Sequence, residues 1–136
     1  GIEFQLIVMG QQFRNQPEIF ALAKEKLAKR IICWGEQDTE NYQHWLCQSQ
    51  FVISTAIHEF QGLAVMEAVH NGCIPIVPGR LSYPEWFSEE YIYGNSCEEL
   101  AKHLTATLES TNLESPDLNH LCWDRLIERY RKLIME

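Results

Sequence analysis

Two hydrophobic rhythms alternate along this chain. Phe4–Met9, Ile31–Trp34, Phe51–Ala56, Cys73–Val77 and Tyr91–Tyr93 are short apolar runs, most of them bounded by glycine or proline, and read as strands. Between them apolar residues recur at helical spacing. Pro17–Arg30 sets Ile19, Leu22, Ala23 and Leu27 on one face, and Glu40–Gln48 presents Tyr42, Trp45 and Leu46. Leu63–Asn71 is rich in good helix formers and stops at Gly72. Ser96 opens a helix to about Glu109, with Glu99 completing a capping box. After a polar loop at Thr111–Asp117, Leu118–Ile134 is predicted to be a last helix whose stripe Trp123, Leu126, Ile127, Tyr130 and Leu133 is core. Pro78-Gly79 and Tyr83-Pro84 punctuate loops, with Trp86 and Phe87 packing beneath one of them. Strands alternating with helices predict an α/β fold: a Rossmann-like, doubly wound parallel sheet covered on both faces.

The stretch Phe51–Gly79 carries the chemistry. Strand, loop, helix and strand make one βαβ unit, whose helix starts at the carboxyl end of the strands, where open α/β sheets bind ligands. The loop is His58-Glu59-Phe60-Gln61-Gly62. Gly62 has no Cβ and permits close backbone approach of a ligand. The amides of Gln61, Gly62 and Leu63 are expected to be free donors at a helix start, where they and the helix dipole favour phosphate. Glu59 before the helix and Glu67 two turns on can accept hydroxyl hydrogen bonds, as a sugar and a ribose diol need. Phosphate donors between two such carboxylates suit a nucleotide sugar. The spacing alone is common, since Glu90 and Glu98 are also eight apart. On spacing alone, Glu59 is a helix cap and Glu67 lies on a wet face.

The surroundings add a resemblance. Glu59-x7-Glu67-Ala68, Gly72, Pro75 and Pro84-Glu85 resemble the donor site of retaining GT-B glycosyltransferases of the glycogen-synthase-like type. His58-Glu59-Phe60, Met66-Glu67-Ala68-Val69, Gly72-Cys73 and Tyr83-Pro84-Glu85 are similar to the family of tRNA-queuosine mannosyltransferases and their bacterial relatives. The echo extends more weakly to Phe4–Gly10 and the C-terminal helix, which in GT-B relatives can cross back to the N-terminal domain, so that some of its apolar face is expected to be uncovered here. It implies that residues 1–136 are a single donor-binding domain, the C-terminal half of a GT-B enzyme. Glu59 then takes the catalytic position on donor-sugar hydroxyls, and Glu67 the ribose. His58, Phe60, Gln61, Gly62 and Leu63 line the donor. Many members carry glycine-aromatic-glycine after the first glutamate, whereas this chain has Phe60-Gln61-Gly62, and Gln61 could fill space or select a sugar.

The resemblance further implies transfer of a hexose, mannose from GDP-mannose, with retention, to queuosine in a tRNA, and no metal or other cofactor. The N-terminal acceptor domain, and a first strand carrying an Arg and a Lys on the diphosphate, are expected to lie outside this chain. Such cations stabilise a leaving diphosphate, so this fragment alone is expected to be inactive. Three other readings stay open: a glycosyltransferase for lipid or polysaccharide acceptors, a non-catalytic nucleotide-sugar-binding module, and a doubly wound interaction domain with a chance glutamate pair.

Lesser candidates carry two readings each. Trp34-Gly35, with Glu36 and Gln37, lies at a strand end on the nucleobase side, or is an ordinary turn with Trp34 in the core. Arg80 could meet a phosphate or be solvated. His58 could act near the sugar or bond backbone.

Composition narrows the field. At 136 residues and 46% hydrophobic, the chain can build one core. A formal charge of −8 makes the domain as a whole a poor polyanion grip, so a tRNA is expected to be held mainly by the other domain. Five cysteines without CxxC spacing argue against a disulfide framework or zinc site and for buried thiols in a reducing compartment. No apolar run reaches the ~20 residues of a membrane span, and no signal peptide is visible, so a cytoplasmic location is the default.

Overall fold

The computed structural model describes residues 2–11, 16–110 and 112–135. They divide into two compact units, Gly1–Gln48 and Ser49–Glu136. The strands are parallel, they form two sheets, and helices flank them, as a Rossmann-like α/β fold requires.

The first unit holds β1 (Leu6–Met9), α1 (Glu18–Lys26), β2 (Ile31–Gly35) and α2 (Thr39–Gln48). β1 and β2 pair in parallel, with a register shift between Leu6 and Ile7. α1 ends four residues sooner than its apolar pattern predicts, and it buries nothing. Ile19 and Leu22 are exposed, while Ala23 and Leu27 are half-buried. A 3.6-residue stripe says which face is apolar, not that the face is covered.

The second unit holds β3 (Phe51–Ile53), α3 (Leu63–His70), β4 (Ile74–Pro78), α4 (Tyr83–Trp86), β5 (Ile92–Tyr93), α5 (Cys97–Glu109) and α6 (Trp123–Met135). The sheet order is β3-β4-β5, so β4 is central, and four of its five residues are buried. Two prolines in a central strand conflict with the usual rule. The ladder resolves the conflict. Ile74 N–H bonds Gln50 O, and Ile76 O accepts Ser54 N–H, so alternate residues of β4 face β3. Pro75 therefore turns its missing donor to the other side, where β5 begins only opposite Val77. Pro78 lies past the last paired residue of β3, Ile53, which sits opposite Ile76.

The core gathers Val65 and Val69 from α3, Val77 from β4, and Tyr83, Phe87, Tyr91 and Leu118. The three aromatic rings run in sequence with centroids 6.4 Å apart at each step. Fully burying such rings is worth about 2–3 kcal/mol each. They account for a departure from expectation: Tyr83-Pro84 is not a loop but the first turn of α4, with Pro84 in the position where a helix tolerates it. Phe87 is buried and Trp86 half-buried against this core, as expected of packing aromatics.

The loop predicted over Thr111–Asp117 is polar, with Thr111 outside the described residues, but it also straps the core. Leu113 packs against the cluster, Ser115 Oγ donates to Val69 O and Cys73 O at 3.2 and 2.9 Å, and Tyr91 Oη donates to Glu114 O at 2.9 Å. α5 carries the predicted capping box, Glu99 N–H to Ser96 Oγ and Ser96 N–H to Glu99 carboxylate, both 3.1 Å.

Leu118–Ile134 is not one helix. A 3-10 turn at Asn119–Leu121 is followed by extended Cys122 (ψ 143°), and α6 then starts afresh at Trp123. α6 buries no residue, so its stripe is not core: Trp123, Tyr130 and Leu133 are exposed and Leu126 and Ile127 half-buried. Leu118, cut off from that stripe by the break, goes into the core instead. None of the five cysteines is in a disulfide, but only Cys73 is buried; Cys47 and Cys97 are exposed, against the expectation of buried thiols. Among the described residues no helix is long and apolar enough to cross a membrane.

Candidate functional site

The loops that follow β3, β4 and β5 leave the carboxyl end of the second sheet, the end at which open α/β sheets bind ligands. Ser54, the first residue past β3, is buried and ties three strands together. Its amide bonds Ile76 O at 3.0 Å, its hydroxyl meets Tyr83 Oη at 2.7 Å, and its carbonyl accepts Tyr93 Oη at 2.9 Å. Two residues on, Ala56 O accepts from Arg80 Nε and Nη2 at 3.2 and 3.0 Å, and Arg80 Nη1 reaches Asn95 Oδ1 at 3.4 Å. Arg80 is thus neither merely solvated nor simply offered to a phosphate. It clamps the loop after β3 to the loop after β5. Leu81 beside it has φ 62°, an uncommon conformation for a residue with a Cβ, of the kind that persists where surrounding bonds impose it.

Beyond this clamped base the loop tip stands free. His58, Phe60, Gln61 and Leu63 are exposed, Phe60 almost completely at 98%. Glu59 is half-buried, and its carboxylate accepts the amide of Phe60 at 2.9 Å, so it caps its own loop rather than α3. Burial pushes the Tyr83 phenol up from its ordinary value; the hydrogen bond to Ser54 opposes this, and the neighbouring Glu59 carboxylate adds to it. Glu59 is therefore electrostatically coupled to the buried phenol at the loop base.

Gly62 is the N-cap of α3 in the left-handed conformation (φ 74°, ψ 33°), and no side chain caps the helix. Its carbonyl accepts Met66 N–H at 2.9 Å, so the helix is wound from its first turn while the amides of that turn lack intrahelical partners. The glycine has a reason that sequence reasoning missed. A Cβ built here lies 2.7 Å from Tyr83 Cε1, so the bare backbone accommodates a buried ring. α3 buries Val65, Ala68 and Val69, and Glu67 stands on the opposite, exposed face with Leu63 and His70. The structure thus puts Glu59, Gly62 and Glu67 on one loop–helix unit, with the uncapped start of α3 between the two carboxylates.

Trp34 and Gly35 belong to the first unit. Trp34 is half-buried, meets Phe20 edge to face at 6.4 Å, and lies under Lys24 Nζ at 5.6 Å, which fits a packing residue. Gly35 is buried with φ 110° and accepts Gly10 N–H, while Gln37 Nε2 bonds back to Glu36 O.

The chain is similar to a tRNA-queuosine alpha-mannosyltransferase. That protein, from Drosophila melanogaster, is 38% identical over 103 residues, which are 76% of this chain and 27% of the relative. The chain therefore spans about a quarter of the length of this curated relative. No family model matches the chain. The likeness supports a relationship to glycosyltransferases and agrees with the narrower resemblance read from His58–Phe60, Met66–Val69 and Tyr83–Glu85.

Ser54 and Tyr93 escaped sequence reasoning as parts of this site, Arg80 entered it only as a phosphate contact or a solvated residue, and Tyr83 only through its motif. Their bonds span 24 to 39 residues of chain and leave no local periodicity to detect.

Proposed function

We propose that this chain is the donor-binding part of a retaining GT-B glycosyltransferase that moves mannose from GDP-mannose to queuosine in a tRNA. The observation that carries the reading is the 38% identity to a tRNA-queuosine alpha-mannosyltransferase over three quarters of the chain. The loop–helix geometry is compatible with it. Uncapped amides at the start of α3 suit a diphosphate. Glu67 on the exposed face of α3 suits a ribose diol, and Glu59, on the loop that Arg80 anchors, suits donor-sugar hydroxyls. His58, Phe60 and Gln61, exposed on the same loop, are the further side chains proposed to meet the donor. No metal or other cofactor enters the proposed chemistry. An acceptor-binding domain elsewhere in the same protein, and a cytoplasmic location where tRNA is found, belong to the same proposal.

The test is an NMR titration of the ¹⁵N-labelled chain with GDP, UDP and GDP-mannose, repeated on Glu67→Ala. The expected result is saturable shifts at Gly62 and Glu67 with GDP and GDP-mannose, weakened about tenfold or more in the variant, since a charged hydrogen-bond partner is worth about 1.5–3 kcal/mol. A preference for UDP would remove mannose transfer from the proposal. Shifts indifferent to Glu67→Ala would remove the ribose role.

A further inference from the structure

The 3-10 turn Asn119–Leu121 and the first two turns of α6 enclose an open cleft of about 340 Å³, lined by Asp117, Asn119, His120, Arg125 and Arg129. Arg125 and Arg129 are one helical turn apart and both exposed, so they present their guanidinium groups on the same face. Neither guanidinium has an ion-pair or hydrogen-bond partner among the described residues. The other arginines of known surroundings differ: Arg131 pairs with Glu128 at 2.8 Å, Arg30 with Glu3, and Arg80 is spent on Ala56 O. The one carboxylate in the cleft is already engaged, because Asp117 Oδ1 accepts Asn119 N–H at 2.8 Å.

Two unpaired guanidinium groups with an amide and an imidazole beside them match the geometry of phosphate recognition. The charge is local. α6 carries four basic and two acidic side chains on a chain of formal charge −8, so this is where an otherwise acidic domain can meet a polyanion. Aromatic surface lies next to it. Arg129 and His120 also line a second, larger groove of about 600 Å³ with Trp86 and Tyr130. Trp123 and Tyr130 stand 5.8 Å apart with planes tilted by 33°, and are 62% and 50% exposed. Of this pair Tyr130 shares the groove with Arg129, and an exposed ring beside a guanidinium group is the combination that holds single-stranded nucleic acid, phosphate on the cation and base on the ring.

We propose that the Asn119–His120–Arg125–Arg129 cleft binds a backbone phosphate of single-stranded RNA, with Tyr130, on the groove that Arg129 and His120 share, receiving a neighbouring base. The inference rests on the proposed function only in taking a tRNA as the source of that strand. It assigns the donor-binding domain its own grip on the acceptor, beside the main contacts expected of another part of the protein.

The experiment measures binding of a fluorescein-labelled tRNA transcript to the chain by anisotropy between about 50 and 200 mM salt, for the native sequence, Arg125→Gln/Arg129→Gln and Arg131→Gln. The double variant is expected to bind about tenfold or more weakly. Its slope of log affinity against log salt should shrink by about 0.7, the contribution of one single-strand phosphate contact. Arg131→Gln, whose side chain is paired, should bind as the native chain does. Circular dichroism checks that the exposed substitutions leave the fold intact. No tRNA binding by the native chain, an unchanged double variant, or an equal loss in Arg131→Gln overturns the proposal. So does displacement of the tRNA by GDP, which would give the cleft to the nucleotide, or tighter arginine-dependent binding to phosphatidylserine vesicles, which would give α6 to a membrane surface. GDP-mannose titration of the double variant separates the two proposals. Arginine-dependent tRNA binding without donor shifts at Gly62 and Glu67 would reject the donor site and keep this one, and donor shifts without tRNA binding would do the reverse.

Discussion

Replacing Gly62 with alanine should destabilise the second unit by about 2–5 kcal/mol, from two causes that a control can separate. The first is conformational: at φ 74°, ψ 33° a Cβ crowds the backbone, at roughly 1–2 kcal/mol. The second is the Tyr83 ring, 2.7 Å from the new Cβ at Cε1 and 3.4 Å at Cδ1. That ring cannot simply swing aside. It is 1% exposed, its hydroxyl meets Ser54 Oγ at 2.7 Å, and its centroid is 6.4 Å from that of Phe87. Overpacking a site of this kind costs about 1–3 kcal/mol. Gly72→Ala is the control, since Gly72 also has positive φ (96°) but nothing lies within 4 Å of its Cβ position. Urea unfolding followed by circular dichroism gives both free energies. Thermal melting should show Gly62→Ala lowered by around 10 °C, at about 3–4 °C per kcal/mol for a chain of this length. If Gly62→Ala loses no more than Gly72→Ala, the contact with Tyr83 is not tight and the packing account of Gly62 fails.

Two further outcomes follow from the buried tyrosines and the free thiols. Burial holds the phenols of Tyr83, Tyr91 and Tyr93 above their ordinary value, so each stays neutral in the fold; stability should be full below about pH 10, the unfolded value, and fall as pH rises through the raised folded values. Urea midpoints from pH 7 to 12 measure this, and Tyr83→Phe should flatten the decline; a midpoint constant to pH 12 contradicts it. With a thiol reagent under native conditions, Cys47 and Cys97 should react fast and Cys73 only on unfolding, and fast labelling of Cys73 would contradict its burial beneath Ser49 O.

Much of the fold was legible because its signals are local. The βαβ order around Phe51–Val77 follows from run length and a glycine stop, the Ser96–Glu99 box starts α5 where expected, and β2 closes at Gly35. The loop–helix unit carrying Glu59, Gly62 and Glu67 was legible for the same reason, since every part of it lies within nine residues. Periodicity also named the apolar faces of α1 and α6 correctly, but it could not say that both stay uncovered, because burial is decided by what packs opposite a face.

The sequence by itself determined the order of elements, the place of the loop and the identity of its carboxylates, since each depends on neighbours in the chain. Only the tertiary structure decided what holds that loop. Ser54, Tyr83 and Tyr93 close a buried hydrogen-bond knot, and Arg80 pins Ala56, because chain segments 24 to 39 residues apart meet at one sheet end. It also decided where the last helix begins. Leu118 and Leu121 are drawn to the core, the chain extends at Cys122, and α6 leaves with Arg125 and Arg129 unpaired over a cleft that no spacing of residues could reveal.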